Sequence, residues 1–406
     1  MTKMNSRIVL VLMLILPITA SAQNITFEQY MQSVAKNNAE AVAEKYNLDI
    51  AEANLQAAKV FNDPELSVSY GNNQDWSMLM GQSAEAELSY SVSLGNVRKA
   101  RINVSQSERD LSEASVDAFF CGLREEASLA WSEAYKLRQT SLLLEEEYLS
   151  MRKIAEGDSL RYSVGDISAA DMAQSRLEAQ SLRADYLSAK AEYRNALIVL
   201  GYMAGGMPIT DIDGERLPFA GIKYSEPDIY DIAEVTRADL KAAELSGRLS
   251  EQNLKLIKAS RAMELGFSVG YSFNTEVRNE IAPAPQFHGF TVGVSIPLKF
   301  SSLNKGEVKA AQMEVNQQKQ YLEAAHKQVR MEVSQAYNTY LTANEILAQY
   351  TGDMLDSAKT IFESRERAYQ KGEISLLEYL VARQAYNDTM IAYIDACCGS
   401  FNAEVA

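Results

Sequence analysis

The chain has 406 residues, 47% of them hydrophobic and 23% charged, which excludes intrinsic disorder and allows several domains or one elongated fold. A formal charge of −15 argues against nucleic acid as a partner and suits a surface or lumen that tolerates cations. Three cysteines make no disulfide framework, and the adjacent pair Cys397-Cys398 lacks the His or third thiol of a metal site, so no cofactor or metal is expected.

The first 22 residues read as a secretory leader. Lys3 and Arg7 form its basic start, Ile8 to Ile18 its apolar core, and Ala20-Ser21-Ala22 its A-x-A cleavage site. The mature chain is expected to start at Gln23 with a charge of −17, since Lys3 and Arg7 are lost. No Cys follows the cleavage site, which argues against a lipid anchor. No later run of about 18 apolar residues predicts a transmembrane helix, so the chain spans a membrane as a β-barrel or not at all.

The mature chain is a tandem duplication with a domain-sized period. At an offset of 207 (369 − 162), YSVGDIS at 162–168 meets YQKGEIS at 369–375, Arg176 meets Arg383 and Tyr186 meets Tyr393. Upstream, SVSY at 67–70 meets SVGY at 268–271, and VSL at 92–94 meets VSI at 294–296. The expected domains are a first repeat over 23–200, a Gly- and Pro-bearing connector over 201–227, and a second repeat over 228–406.

Each repeat is expected to run helix, two strands, very long helix, Gly turn, helix. In the first, a helix over 27–59 stops at Asp63-Pro64. Strands come next at 64–72 and 84–94, then a helix over 97–161, a turn at Gly165 and a helix to about 200. Ser168 with Asp171 three residues on has the spacing of a helix cap. The second repeat gives a helix over 228–262, strands over 263–273 and 287–298, a helix over 304–369, a turn at Gly372, a cap at Ser375 with Glu378, and a helix to about 397. Each long helix is expected to be unbroken and about 100 Å long. A seam of Ala127, Ala130, Ala134, Leu137, Ser141, Leu144, Tyr148, Met151 and Ala155 has coiled-coil spacing. So does Val308 to Leu347, with one stutter near Val329 and Val333.

All four strands alternate. Leu66, Val68 and Tyr70, then Leu88, Tyr90 and Val92, Phe267, Val269 and Tyr271, and Phe290, Val292 and Val294 share an apolar face. The opposite face holds Ser, Gly, Thr and the acids Glu85 and Glu87, which suits a water-filled barrel lumen. Four strands cannot close a barrel, and open edges in lipid leave backbone groups unpaired, so several copies are expected to pool their strands.

With these features in hand, the chain resembles the TolC family of outer-membrane efflux proteins over essentially all of its mature length. The most specific match is the pair of turns RYSVGDISAAD (161–171) and AYQKGEISLLEYL (368–380). The resemblance implies an α+β membrane protein: a duplicated α-helical coiled-coil barrel, plus four antiparallel strands per chain in a trimeric 12-stranded transmembrane β-barrel. It implies a homotrimer in outer-membrane lipid with its tunnel in the periplasm, joined through a periplasmic adaptor to an inner-membrane pump and exporting drugs or metal ions. A protein-secretion channel and a soluble exported coiled-coil scaffold are the alternatives.

By the same resemblance, Val164, Gly165, Asp166, Ser168, Lys371, Gly372, Glu373 and Ser375 are adaptor-contact tips. Asp171 and Tyr369 fall where a tip-closing hydrogen bond forms, and Glu378 where an acidic ring narrows the pore. Ile374 and Val381 depart from the family's closing Arg and second acidic ring residue. An enzyme is not expected: the two histidines, His288 and His326, lie in no catalytic motif. Met78 and Met80 in the first strand loop are a weak pointer to copper.

Overall fold

The computed structural model describes residues 23–74, 79–213, 216–219, 221–298 and 305–406. The expected leader at 1–22 and Met78 lie outside them. The elements in order are β1 (Gln23–Thr26), α1 (Phe27–Asn37), α2 (Ala39–Lys59), β2 (Glu65–Gln74), β3 (Leu79–Ser93), α3 (Val97–Ser163), α4 (Ala169–Met203), β4 (Ile209–Asp213), α5 (Glu226–Thr236), α6 (Ala238–Ser260), β5 (Glu264–Asn274), β6 (Phe287–Ser295), α7 (Gly306–Gln349), α8 (Gly352–Gln370) and α9 (Leu376–Val405).

The chain forms two compact units. One comprises 39–123 and 222–339. Its centre is a four-stranded antiparallel sheet in the order β2-β3-β5-β6. The register puts Val68, Ala86, Tyr271 and Phe290 in one row, and Leu66, Leu88, Val269 and Val292 in the next. Apart from the half-buried Ala86, these apolar side chains are exposed in the single chain. The opposite face aligns Ser69, Glu85, Ser272 and Gly289, and Ser67, Glu87, Gly270 and Thr291. Glycines there face serines across the ladder, and a Cβ on Gly266, Gly289 or Gly293 would meet the opposite Ser Oγ at 2.3, 2.6 and 2.6 Å. That close approach keeps this face thin and smooth. Helices of the same unit pack on small seam residues. Leu254 of α6 meets Ala311 and Val315 of α7, and Ala233 of α5 meets Val329 and Val333.

The other unit comprises 124–221, 340–406 and the chain up to residue 38. The two short strands β1 and β4 pair in parallel there. An aromatic cluster lies beside them. Trp131 of α3 packs edge-on against Phe27 (5.6 Å between centroids) and tilted against Tyr30 (5.5 Å), and Phe401 of α9 meets Phe27 and Phe219. A second core holds Met151, Ile154 and Ala155 of α3, Ala179 and Leu182 of α4, Tyr369 of α8, and Leu376 and Tyr379 of α9.

Three expected helices are interrupted. The one expected over 27–59 breaks at Asn38, whose side-chain amide donates to the Met203 carbonyl at 3.1 Å. The one expected over 228–262 breaks at Arg237, which takes nearly the same extended backbone conformation (φ −66°, ψ 121°, against φ −60°, ψ 127° at Asn38). Arg237 lies 2.6 Å from both Asp239 and Glu332. The second long helix, expected unbroken over 304–369, stops at Gln349 and restarts at Gly352 with Thr351 capping the Met354 amide. Only the first repeat keeps an unbroken long helix, α3, of 67 residues. The connector contributes β4, an element its sequence does not announce.

Candidate functional site at the helical tips and the polar sheet face

The two tip turns are built alike. Each long-helix end closes with a pair of backbone bonds around a left-handed glycine. At the first, Asp166 N–H donates to Arg161 C=O (2.8 Å) and Gly165 N–H to Tyr162 C=O (3.0 Å). At the second, Glu373 N–H donates to Ala368 C=O and Gly372 N–H to Tyr369 C=O (both 2.9 Å). Gly165 and Gly372 have φ of 81° and 76°, which a side chain resists. Ser168 and Ser375 then cap α4 and α9 by accepting from the Asp171 and Glu378 amides. Glu378 completes a capping box, accepting from the Ser375 amide at 2.8 Å. These bonds from Ser375, backbone first and hydroxyl second, hold the Glu378 carboxyl below the usual range.

The expected tip residues Val164, Gly165, Asp166, Ser168, Lys371, Gly372, Glu373 and Ser375 are all exposed, and Val164 stands out at 79%. Ile374 does not project outward as a closing Arg would. It packs against the Met151–Tyr379 core. Val381 is exposed on α9.

Tyr369 reaches from the second hairpin to the first. It is 4% exposed, and its hydroxyl donates to Asp158 Oδ2 of α3 at 2.8 Å. Asp158 is itself 2% exposed. Its other oxygen lies 3.7 Å from Arg161 Nη1, and Arg161 Nε reaches Asp166 Oδ2 at 2.6 Å. The Arg161 guanidinium sits 5.6 Å from the Tyr369 ring centroid, and that ring stacks on Tyr379 at 5.5 Å. Burial, then the bond to Asp158, pushes the Tyr369 phenol well above its ordinary range.

Within the chain, then, Asp171 is not the hydrogen-bond partner of Tyr369. Its carboxylate is taken by its own cap hydroxyl, Ser168 Oγ, at 2.7 Å, although it lies near enough to act electrostatically on the phenol. Asp158 is a candidate site residue that sequence reasoning missed. Its signal was there: Met151, Ala155 and Asp158 continue the seam spacing, and a carboxylate at a seam position needs a partner.

In the sheet unit, Glu85 and Glu87 lie on the Ser/Gly face with Glu65 and Glu264, and no Lys or Arg occurs in β2, β3, β5 or β6. The histidines form no catalytic pair. His288 Nδ1 lies 2.6 Å from the Tyr271 hydroxyl, and His326 lies 3.4 Å from Glu234. Met80 Sδ accepts from the Asn279 amide at 3.1 Å. Among the described residues no group of three His, Cys, Asp or Glu could hold a metal ion, and no helix is long and apolar enough to cross a membrane. Cys121 is exposed, whereas Cys398 is buried, its thiol pushed up to about 11 by that burial.

Comparison with known proteins gives a consistent picture. Residues 229–397 match the family model "Outer membrane efflux protein". The cobalt-zinc-cadmium resistance protein CzcC of Cupriavidus metallidurans is 21% identical over 94% of this chain and 89% of its own length. Among solved structures, CusC, described as forming a transmembrane channel, superposes with a TM-score of 0.74 at 16% identity, over 93% of this chain and 90% of its own. The Campylobacter jejuni CmeC outer membrane channel superposes with a TM-score of 0.72 at 16% identity, over 93% and 84%.

Proposed function

We propose, from the premise that the chain belongs to the TolC family of outer membrane efflux proteins, that it is the exit duct of a tripartite efflux system. In this reading three copies pool their four-stranded sheets into one 12-stranded barrel in the outer membrane. A periplasmic adaptor engages the exposed tip turns and links them to an inner-membrane pump. The cargo is a small molecule or metal ion. The name of the Cupriavidus relative favours metal ions, and so does an acidic sheet face without Lys or Arg.

One observation carries the reading. The sheet has an exposed apolar face, a small polar face and two edge strands, β2 and β6, with no neighbour among the described residues. Lipid removes the penalty for the apolar face, but unpaired edges there cost several kcal/mol per backbone group, roughly, so the edges must meet other strands. Copies of the same chain supply them. Gly165 and Gly372 give two like-built turns per chain, so a trimer offers six similar surfaces to an adaptor ring. Tyr369, held by Asp158, acts as the gate latch in place of the expected Asp171 pair, and Glu378 lines the entrance.

The test is the native mass of the protein extracted from outer membranes in mild detergent, corrected for bound detergent. Three times the chain mass is expected. A monomer, or release by salt alone, would overturn the shared barrel and favour the soluble scaffold.

A further inference from the structure

A second buried polar cluster lies where α3, α4 and α9 meet, apart from the Tyr369 latch. Glu147 of α3 is 4% exposed, and neither of its carboxylate oxygens has a hydrogen-bond partner among the described residues. Arg383 of α9 is equally buried. Its Nη2 donates to Glu178 of α4 at 2.6 Å, while its Nη1 has no such partner. Asn387 lies one turn further along α9, on the same helical face, and its Oδ1 is also buried and without a partner. Arg383 is close enough to act on Glu147 electrostatically.

The unmet groups fit one protonation state. A neutral carboxylic acid offers one acceptor and one O–H donor, and puts no buried negative charge beside Arg383 to rival Glu178. An ionised carboxylate is acceptor-only. It would compete with Glu178 for Arg383. We propose that Glu147 is a proton-controlled brace: protonated, it lets Arg383 join α4 to α9 through Glu178; ionised, it draws Arg383 toward α3 and loosens that junction.

The surroundings support this. Burial pushes the Glu147 carboxyl up to about 7. Arg383 opposes that rise, while Asp388 of α9, Glu146 of α3 and Asp185 of α4 add to it. Tyr379 and Tyr386 of α9 face the same carboxylate, and Glu366 of α8 stands near Tyr379, bonded to Ser150 of α3. The folded junction holds a proton that an opened one releases above about 4.5, so its stability is greatest at acid pH and is lost as pH rises toward 7. The repeat-related Arg176 is exposed, so the brace is not repeated there. The proposal goes beyond the efflux reading and does not require the trimer or the adaptor.

Hydrogen exchange of α9 amides around Arg383, corrected for the intrinsic pH dependence, tests it in the full-length protein. Between pH 5 and pH 8 the local opening equilibrium is expected to rise on the order of tenfold or more. In Glu147→Gln, whose amide imitates the protonated acid, it should stay at the acid value across the range. An unchanged pH profile in Glu147→Gln overturns the proposal. If that variant does not fold, infrared spectroscopy of the unaltered protein decides. A protonated carboxyl absorption that persists above pH 6 and fades near 7 supports the brace, and its absence overturns it.

Discussion

The two tips have nearly one local sequence and two different fates. Both turns have the same backbone bonds, the same left-handed glycine and the same serine cap. Yet Tyr162 is 44% exposed while Tyr369, its counterpart, is 4% exposed. The partners explain it. Arg161 and Asp158 on the first hairpin receive Tyr369, but their repeat equivalents on the second, Ala368 and Arg365, give Tyr162 no such seat. Duplication preserved the turn, and divergence in the flanking helix turned two equal hairpins into a receiver and an inserter. Local chemistry decides how the chain reverses; the neighbouring helix decides what the reversal holds.

The sharpest way to break this asymmetry is to truncate both tyrosines. Tyr369→Ala is expected to destabilise the unit by about 3–5 kcal/mol, the range for large aromatic truncations in a core, while Tyr162→Ala stays within about 0.5 kcal/mol. Denaturant unfolding followed by circular dichroism measures both; equal losses would refute the inserter role. Next in size, Asp158→Ala leaves the Tyr369 hydroxyl buried without an acceptor and should cost about 1–3 kcal/mol. Its counterpart change, Arg365→Ala, should cost little in the same assay. If Tyr369 is the gate latch, Asp158→Ala also raises the resting single-channel conductance, and Arg365→Ala leaves it unchanged.

The glycines sharpen the comparison on a smaller scale. Gly165→Ala and Gly372→Ala each force a side chain into left-handed backbone, at about 1–2 kcal/mol. A Cβ on Gly372 would also come within 3.3 Å of Arg161 Nη2, whereas nothing lies within 4 Å of one on Gly165. Thermal melting should therefore place Gly372→Ala below Gly165→Ala. The smallest contrast lies in the caps. Ser375→Ala and Ser168→Ala should each cost about 1 kcal/mol, with Ser375 the larger because its capping box is reciprocal. The depressed Glu378 carboxyl fixes a pH sign: its contribution is present above about pH 4.5, the unfolded value, and is lost as pH falls through the folded one. A melting curve that rises on acidification through that range in the wild type, but not in Glu378→Gln, would contradict this.

Much of this was legible in the sequence because the determinants are local. The four strands are set by side-chain alternation, and the tip turns by Gly, Ser and an acid at fixed spacing. The helix breaks at Asn38 and Arg237 were not legible. Neither position carries Pro or Gly, and their partners, the Met203 carbonyl and Glu332, are remote in sequence. The break before α8 was announced by Thr351-Gly352-Asp353, and the seam spacing stops just short of it at Leu347. β1 and β4 are too short for a periodic pattern. The gate pair was read onto Asp171 because it aligns with the family's tip-closing position; the partner that Tyr369 meets within the chain was set by the packing of α3 against α8.

The aromatic cluster around Trp131 has a consequence for the order of assembly. It joins Phe27 at the start of the described chain, Trp131 in the middle and Phe401 near the end. A unit whose core is drawn from such distant points has high contact order, so it must close long loops before their contacts stabilise it. A chain delivered from its N-terminus can build α1 and α3 early, but Phe27 stays partly uncovered until Phe401 arrives. The fold of this unit therefore waits on α9 rather than growing from α1 and α3 alone.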